Sequence, residues 1–461
     1  MELGSLQFDI FILVSLVLYW MRDQQKWRRS VLLAADFCFM LFCGIPTAAW
    51  CIFFVLLTYF LGLITVQSKN KKRTGLFSGL FLIAALIAFG YIIPQYNRSS
   101  VFAAVGMSYY SLSLTSYLFD LADNKAEPVS LIDLFLFAGN FATLLSGPIQ
   151  KSDNLEQYKS LPRYDDRGFK EGILLILWGF FQKTVIANGL AYGVDSFYPV
   201  YATAPASRLL FASFFYTFQL YCDFAGYSNI AIGMGKLFGI TIPENFARPY
   251  LATNIQDFWR RWHIGLSNWF RNYLYIPLGG SRKGLWRTIL NTIIVFTVSG
   301  LWHGYGINFM IWGLIHGIAL SLFILIRPSL KKLGLLDLTE SNPVLRWLAR
   351  ILNLFFVNFA WIFFRSTSPR MAFDIISRFK FPLEIPSYIL TSMDIPAEKV
   401  WSVYLGLILV LVIDLLCEHG QSPRERIVSS ALIWNIVCVI LLVMIAFCGN
   451  FEQSGFLYYN F

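Results

Sequence analysis

Apolar residues in this chain come in long unbroken blocks separated by short polar connectors, not in the narrow stripes of a soluble amphipathic helix. The first block covers about 8–20, and two more follow before Lys69. Others fall at about 77–94, 101–119, 131–149, 171–190, 207–235, 287–302, 307–327, 347–364, 400–416 and 429–448. A helix needs about 20 apolar residues to cross the hydrocarbon layer. The pattern therefore predicts an all-α integral membrane protein, a single polytopic domain over residues 1–461, with about 11–13 transmembrane or re-entrant helices. The stretch from Ile242 to Arg287 is least like spanning sequence.

The polar connectors give a topology. Arg22, Lys26, Arg28 and Arg29 follow the first block, and Lys69, Lys71, Lys72 and Arg73 follow two further blocks. An even number of crossings separates the clusters, so both lie in the cytoplasm if the N-terminus is outside, as the positive-inside rule favours. Glu2 and Asp9 stand where a cleaved leader would carry basic residues, and no small-residue cleavage site follows. The first block is thus expected to be a retained span. Residues 151–170 read as a polar cytoplasmic connector, and no internal repeat is visible, which disfavours a repeat-built transporter.

Composition agrees: 57% of residues are hydrophobic and 14% charged, whereas soluble domains carry about 25% charged residues. The net charge of +10 sits in short clusters between spans, which argues for a membrane topology signal and against nucleic-acid binding. The seven cysteines lie in or beside apolar runs without metal-ligand spacing and read as packing residues.

Candidate chemistry is concentrated in few places. Of the four histidines, His303 ends an apolar run within Ser299-Gly300-Leu301-Trp302-His303-Gly304, where small residues allow close approach and an imidazole could take a proton from a hydroxyl. His263 lies in Phe258-Trp259-Arg260-Arg261-Trp262-His263. Read as one helix, that segment places Trp259, His263 and Phe270 on one face and pairs Asp257 with Arg261. It is either an interfacial anchor or, with Arg260, Arg261, Arg271 and the Gly279–Gly284 loop, a site for the phosphates of a nucleotide-bearing acyl donor. Asp223 sits in an apolar run with Tyr227 and Asn229 and needs a partner, either a His or Arg that it orients or a bundle-stabilising ion pair. No GxSxG, no HExxH and no helically spaced histidine pair is present, so no metal is expected.

The run from Asp223 to Gly233 (DFAGYSNIAIG), Ile242 to Phe246, Arg248-Pro249-Tyr250, Asp257 to His263, Leu266-Ser267 and Tyr275 to Gly280 together resemble the membrane-bound O-acyltransferase family, in its alginate O-acetyltransferase branch. Leu145 to Ile149, Gly300 to Gly304, Trp361 to Arg365 and the closing Phe456 to Phe461 extend the likeness over most of the chain. The resemblance implies a bundle around a central tunnel in which a cytoplasmic thioester and an external hydroxyl meet at an essential histidine. That histidine falls on His303, and the second family histidine on His263. Asp223, Tyr227, Asn229, Trp259, Arg260, Arg261, Arg271 and Trp302 are then expected to bind donor or support the site. The donor implied is acetyl-CoA, with no tightly bound cofactor. The acceptor implied is a polysaccharide outside the bacterial inner membrane, reached through a secreted or membrane-anchored partner transferase. A sister branch transferring D-alanine to teichoic acid is the alternative. A secondary transporter using Asp223 and the histidines as a proton relay is a third reading.

Overall fold

The computed structural model describes residues 5–92, 105–304, 306–380 and 393–451. The ends of the expected spans 77–94 and 101–119, and the closing 456–461 motif, lie partly or wholly outside these. Among the described residues all regular structure is helical. Eight helices there are long and apolar enough to cross a membrane: Ile45–Gln67, Lys71–Gly90, Asp166–Phe197, Leu285–His303, Ile307–Lys332, Pro343–Arg365, Ala397–Glu418 and Ala431–Cys448. Leu6–Trp20 and Gln25–Phe42 run beside them. Their exposed faces carry Leu, Ile, Val and Phe, as a lipid-facing surface requires.

Two helices are interior. Met107–Ala122 and the 32-residue Ala206–Leu237 are buried on almost every side and hold the polar residues that lipid would not tolerate. Ser111, Ser113, Thr115 and Ser116 are all buried on the first, and the Thr115 and Ser116 hydroxyls donate back to the Ser111 and Ser113 carbonyls. The second is the central helix. It packs antiparallel to Asp166–Phe197 through two glycine pairs. A β-carbon on Gly172 would stand 2.8 Å from the Gly233 carbonyl oxygen, and one on Gly179 would stand 2.4 Å from that of Gly226. Small residues at a seven-residue spacing let the backbones touch, the usual basis of helix association in membranes. Gly226 and Gly233 of the DFAGYSNIAIG run are explained by this packing.

The expected span 131–149 is corrected. Its helix, Leu131–Ala138, stops after two turns, and residues 140–150 continue as buried non-helical chain. Gly139, Gly147 and Pro148 disfavour continuation. The freed backbone groups find side chains: the Asp36 carboxylate accepts from Phe141 N at 2.8 Å, the Tyr227 hydroxyl from Ser146 N at 3.0 Å, and Ser113 Oγ from Gln150 N at 3.2 Å. Irregular backbone at membrane depth survives only where protein supplies such partners.

Side-chain ties sort the helix ends onto two faces. On one, Trp20 Nε1 donates to the Leu237 carbonyl at 2.9 Å, Gln25 to Leu161 at 2.7 Å, Lys236 pairs with Glu171 at 2.8 Å, and Trp434 donates to Lys170 at 3.0 Å. On the other, Arg365 pairs with Asp195 at 2.8 Å and Lys399 donates to Gly449 at 3.2 Å. Arg22, Lys26, Arg28 and Arg29 lie on the first face.

Candidate active site

The site begins where a helix fails. Ile255–Arg261 and Ile264–Phe270 are separate short helices, and His263 between them has φ 45°, a left-handed conformation. The expected single helix is thus corrected, and Trp259, His263 and Phe270 do not share a helical face. The predicted Asp257–Arg261 pair does form, at 2.9 Å. A neighbouring segment running antiparallel to it stabilises the break. Ala247 N donates to the Arg261 carbonyl and Ile264 N to the Asn245 carbonyl, both at 2.9 Å. Asn245 is buried against the central helix, with Nδ2 donating to Ser228 Oγ at 3.2 Å. Its Oδ1 accepts the Gly265 N–H at 3.1 Å and lies 3.2 Å from His263 Nδ1. An amide oxygen only accepts, so His263 carries its proton on Nδ1, leaving Nε2 as the basic nitrogen. The ring is buried, with Phe224 edge-on at 4.7 Å between centroids.

His303 is the last residue of Leu285–His303 and is also buried. The hairpin it forms with Ile307–Lys332 is closed by glycines. A β-carbon on Gly300 would meet the Phe309 carbonyl oxygen at 2.3 Å, and one on Gly313 that of Phe296 at 2.2 Å. Trp302, Trp312 and Phe364 pack on the His303 ring with centroids at 4.9, 5.2 and 5.2 Å. The two imidazoles, from distant parts of the chain, come together with centroids 6.5 Å apart. Trp302 touches both and rests on Tyr109 of an interior helix. The result is a histidine pair in an aromatic enclosure. A desolvated neutral imidazole there can accept a hydroxyl proton beside an electrophilic carbonyl.

The remaining predicted residues divide. Asp223 forms a buried ion pair with Lys183 at 2.5 Å, the bundle-stabilising ion pair that was one of the two expected arrangements. Asn229 donates to Gln182 at 2.7 Å, and the Tyr227 hydroxyl holds the 140–150 segment. Arg261 is matched by two carboxylates, Asp257 and Glu418, the latter bidentate at 2.7 and 3.0 Å, and Glu418 also takes Arg248 at 3.1 Å. Arg260 and Arg271 are exposed, as are Arg282 and Lys283 of the glycine loop. Tyr273, two residues after Arg271, donates to Asp120 at 2.5 Å. Burial, and then this hydrogen bond, push its phenol well above the ordinary range. Among the described residues no cluster of three His, Cys, Asp or Glu side chains could hold a metal ion.

Sequence reasoning missed Asn245, Lys183 and Glu418 as supporting residues. A lone lysine within the apolar block 171–190 was a usable signal, because a charge there requires a counter-charge such as Asp223. Glu418, at the end of a span, carried none.

Among the described residues, buried polar side chains within an all-helical bundle and a histidine pair enclosed by aromatic rings define a multi-span membrane protein with a polar interior. Residues 3–365 match the model of MBOAT, the membrane-bound O-acyltransferase family, and the chain belongs to that family. It is similar to the peptidoglycan O-acetyltransferase of Helicobacter pylori, 29% identical over 88% of this chain and 86% of the relative. It is also similar to a probable alginate O-acetylase AlgI of Pseudomonas fluorescens, 33% identical over 79% and 72%. The teichoic acid D-alanyltransferase of Bacillus subtilis is 28% identical over 59% and 71%. The protein is therefore a multi-pass inner-membrane O-acyltransferase.

Proposed function

We propose that the protein transfers acetyl from cytoplasmic acetyl-CoA to hydroxyls of a cell-envelope or exported polysaccharide, with a secreted or membrane-anchored partner transferase completing delivery. The observation that carries this reading is the enclosed His263–His303 pair. The names of the Helicobacter and Pseudomonas relatives, both acetylating enzymes, support the acetyl group. The face bearing the basic clusters is taken as cytoplasmic, which puts the N-terminus outside.

In this mechanism the acceptor hydroxyl loses its proton to His303 as its oxygen attacks the thioester carbonyl. The C–O bond forms, the C–S bond breaks, and the departing thiolate takes up the proton. A thioester is activated enough that orientation and proton removal suffice. His263, held by Asn245, presents Nε2 to the same enclosure and assists. Arg260 and Arg271, with Arg282 and Lys283, attract the donor phosphates at the cytoplasmic face. Arg261, already matched by carboxylates, holds its short helix in place. The acyl group reaches His303 through the central tunnel that family membership implies.

The test uses membranes containing wild type or His303→Ala, labelled acetyl-CoA, and a count of label on polymer or partner protein. Transfer by wild type alone is expected. Near-normal transfer by a well-folded His303→Ala protein would overturn the role of His303. Failure of correctly inserted wild type, with its partners present, would overturn the acetyl donor and point to a carrier-linked D-alanyl donor.

A further inference from the structure

His316 is fully buried on the Ile307–Lys332 helix, and neither the sequence nor the proposed mechanism gives it a role. It sits in a box of rings: Trp259 at 5.0 Å, Trp312 at 5.1 Å, Phe356 at 5.6 Å and Trp361 at 6.2 Å between centroids. The indole N–H groups of Trp312 and Trp361 have no hydrogen-bond partner among the described residues. That of Trp259 does: it donates to His316 Nδ1 at 3.3 Å. An accepting Nδ1 fixes the neutral tautomer with its proton on Nε2, and Nε2 has no partner among the described residues. A phenylalanine would fill such an apolar box without that buried donor, so packing alone does not explain a histidine here.

The positions of its neighbours do explain it. Trp259 belongs to the short helix that breaks at His263. Trp312 stands edge-on between the two other rings, 5.1 Å from His316 and 5.2 Å from His303. One imidazole thereby links the segment that carries His263 to the hairpin that carries His303. We propose that His316 is a positioning residue which, through Trp259 and Trp312, sets the separation and mutual orientation of His263 and His303.

The inference rests on the histidine pair being the reacting site, and the experiment separates the two ideas. His316→Phe keeps a ring in the box and removes the acceptor, whereas His316→Asn places an amide oxygen near the position of Nδ1. Both are compared with wild type and His303→Ala for acyl transfer and for thermal unfolding of the purified protein. His316→Phe is expected to unfold like wild type, keep its donor KM, and lose about tenfold in kcat, as a small misplacement of reacting groups does. His316→Asn is expected to recover most of that loss. Wild-type turnover by His316→Phe, with His303→Ala inactive, would overturn the positioning role and leave the site reading intact. A loss of kcat in both variants that tracks a lowered unfolding temperature would also overturn it, since His316 would then serve stability alone. Full transfer by His303→Ala would overturn the site reading and the positioning role with it.

Discussion

Asn245 Oδ1 accepts the backbone N–H of Gly265 and lies 3.2 Å from His263 Nδ1. One amide oxygen thus holds both the helix start beyond the break and the tautomer of the buried imidazole. The outer partner of a functional imidazole commonly controls its orientation and basicity. Asn245→Ala is expected to lower kcat about 10- to 100-fold with little change in donor KM. Asn245→Asp, which keeps an acceptor there, is expected to lose less. Equal turnover by Asn245→Ala and wild type would show that His263 needs no such anchor.

The Lys183–Asp223 pair lies inside the bundle, with side chains 6% and 2% exposed, and joins the Asp166–Phe197 helix to the central helix. Removing one member of a buried pair costs about 3–5 kcal/mol, because the remaining charge loses its counter-ion. Lys183→Met and Asp223→Leu are each expected to lower stability in detergent by that order. The double variant should recover much of the loss. Additive losses, read by thermal unfolding, would show that the two side chains act independently.

Arg260 and Arg271 are exposed, as are Arg282 and Lys283 of the glycine loop. Exposed guanidinium groups that meet donor phosphates act on binding more than on the chemical step. Arg260→Ala and Arg271→Ala are each expected to raise the KM for acetyl-CoA about tenfold, the equivalent of one charge-assisted hydrogen bond. Raised salt should weaken wild type more than either variant. A fall in kcat at unchanged KM would place these residues elsewhere in the reaction.

Glu418 lies beyond the family-matched 3–365 region, yet it holds Arg261 and Arg248 at 2.7 and 3.1 Å, with Arg350 at 3.7 Å. Glu418→Gln leaves three guanidinium groups facing one neutral amide. A loss of about 1–3 kcal/mol is expected, the range for a partly buried, charge-assisted network. The unfolding temperature checks it. An unchanged value would mean that Asp257 alone secures Arg261.

The sequence by itself determined the membrane class, the helical fold and the acyltransferase family, because each depends on local composition or on contiguous motifs. Lipid demands long apolar helices, and such helices announce themselves in a single pass. It did not determine where helices fail. Residues 131–149 are as apolar as a span, and the Tyr227 and Ser113 hydroxyls and the Asp36 carboxylate of other segments make an irregular path there possible. The break at His263 is likewise fixed by Asn245 and Ala247, from another stretch of chain. The 6.5 Å approach of His263 to His303, the Lys183–Asp223 pair and the grip of Glu418 on Arg261 join residues far apart in sequence. Such partners are chosen by the packing of whole helices, through glycine contacts such as Gly179–Gly226 and Gly300–Gly313, and only the tertiary structure decides them.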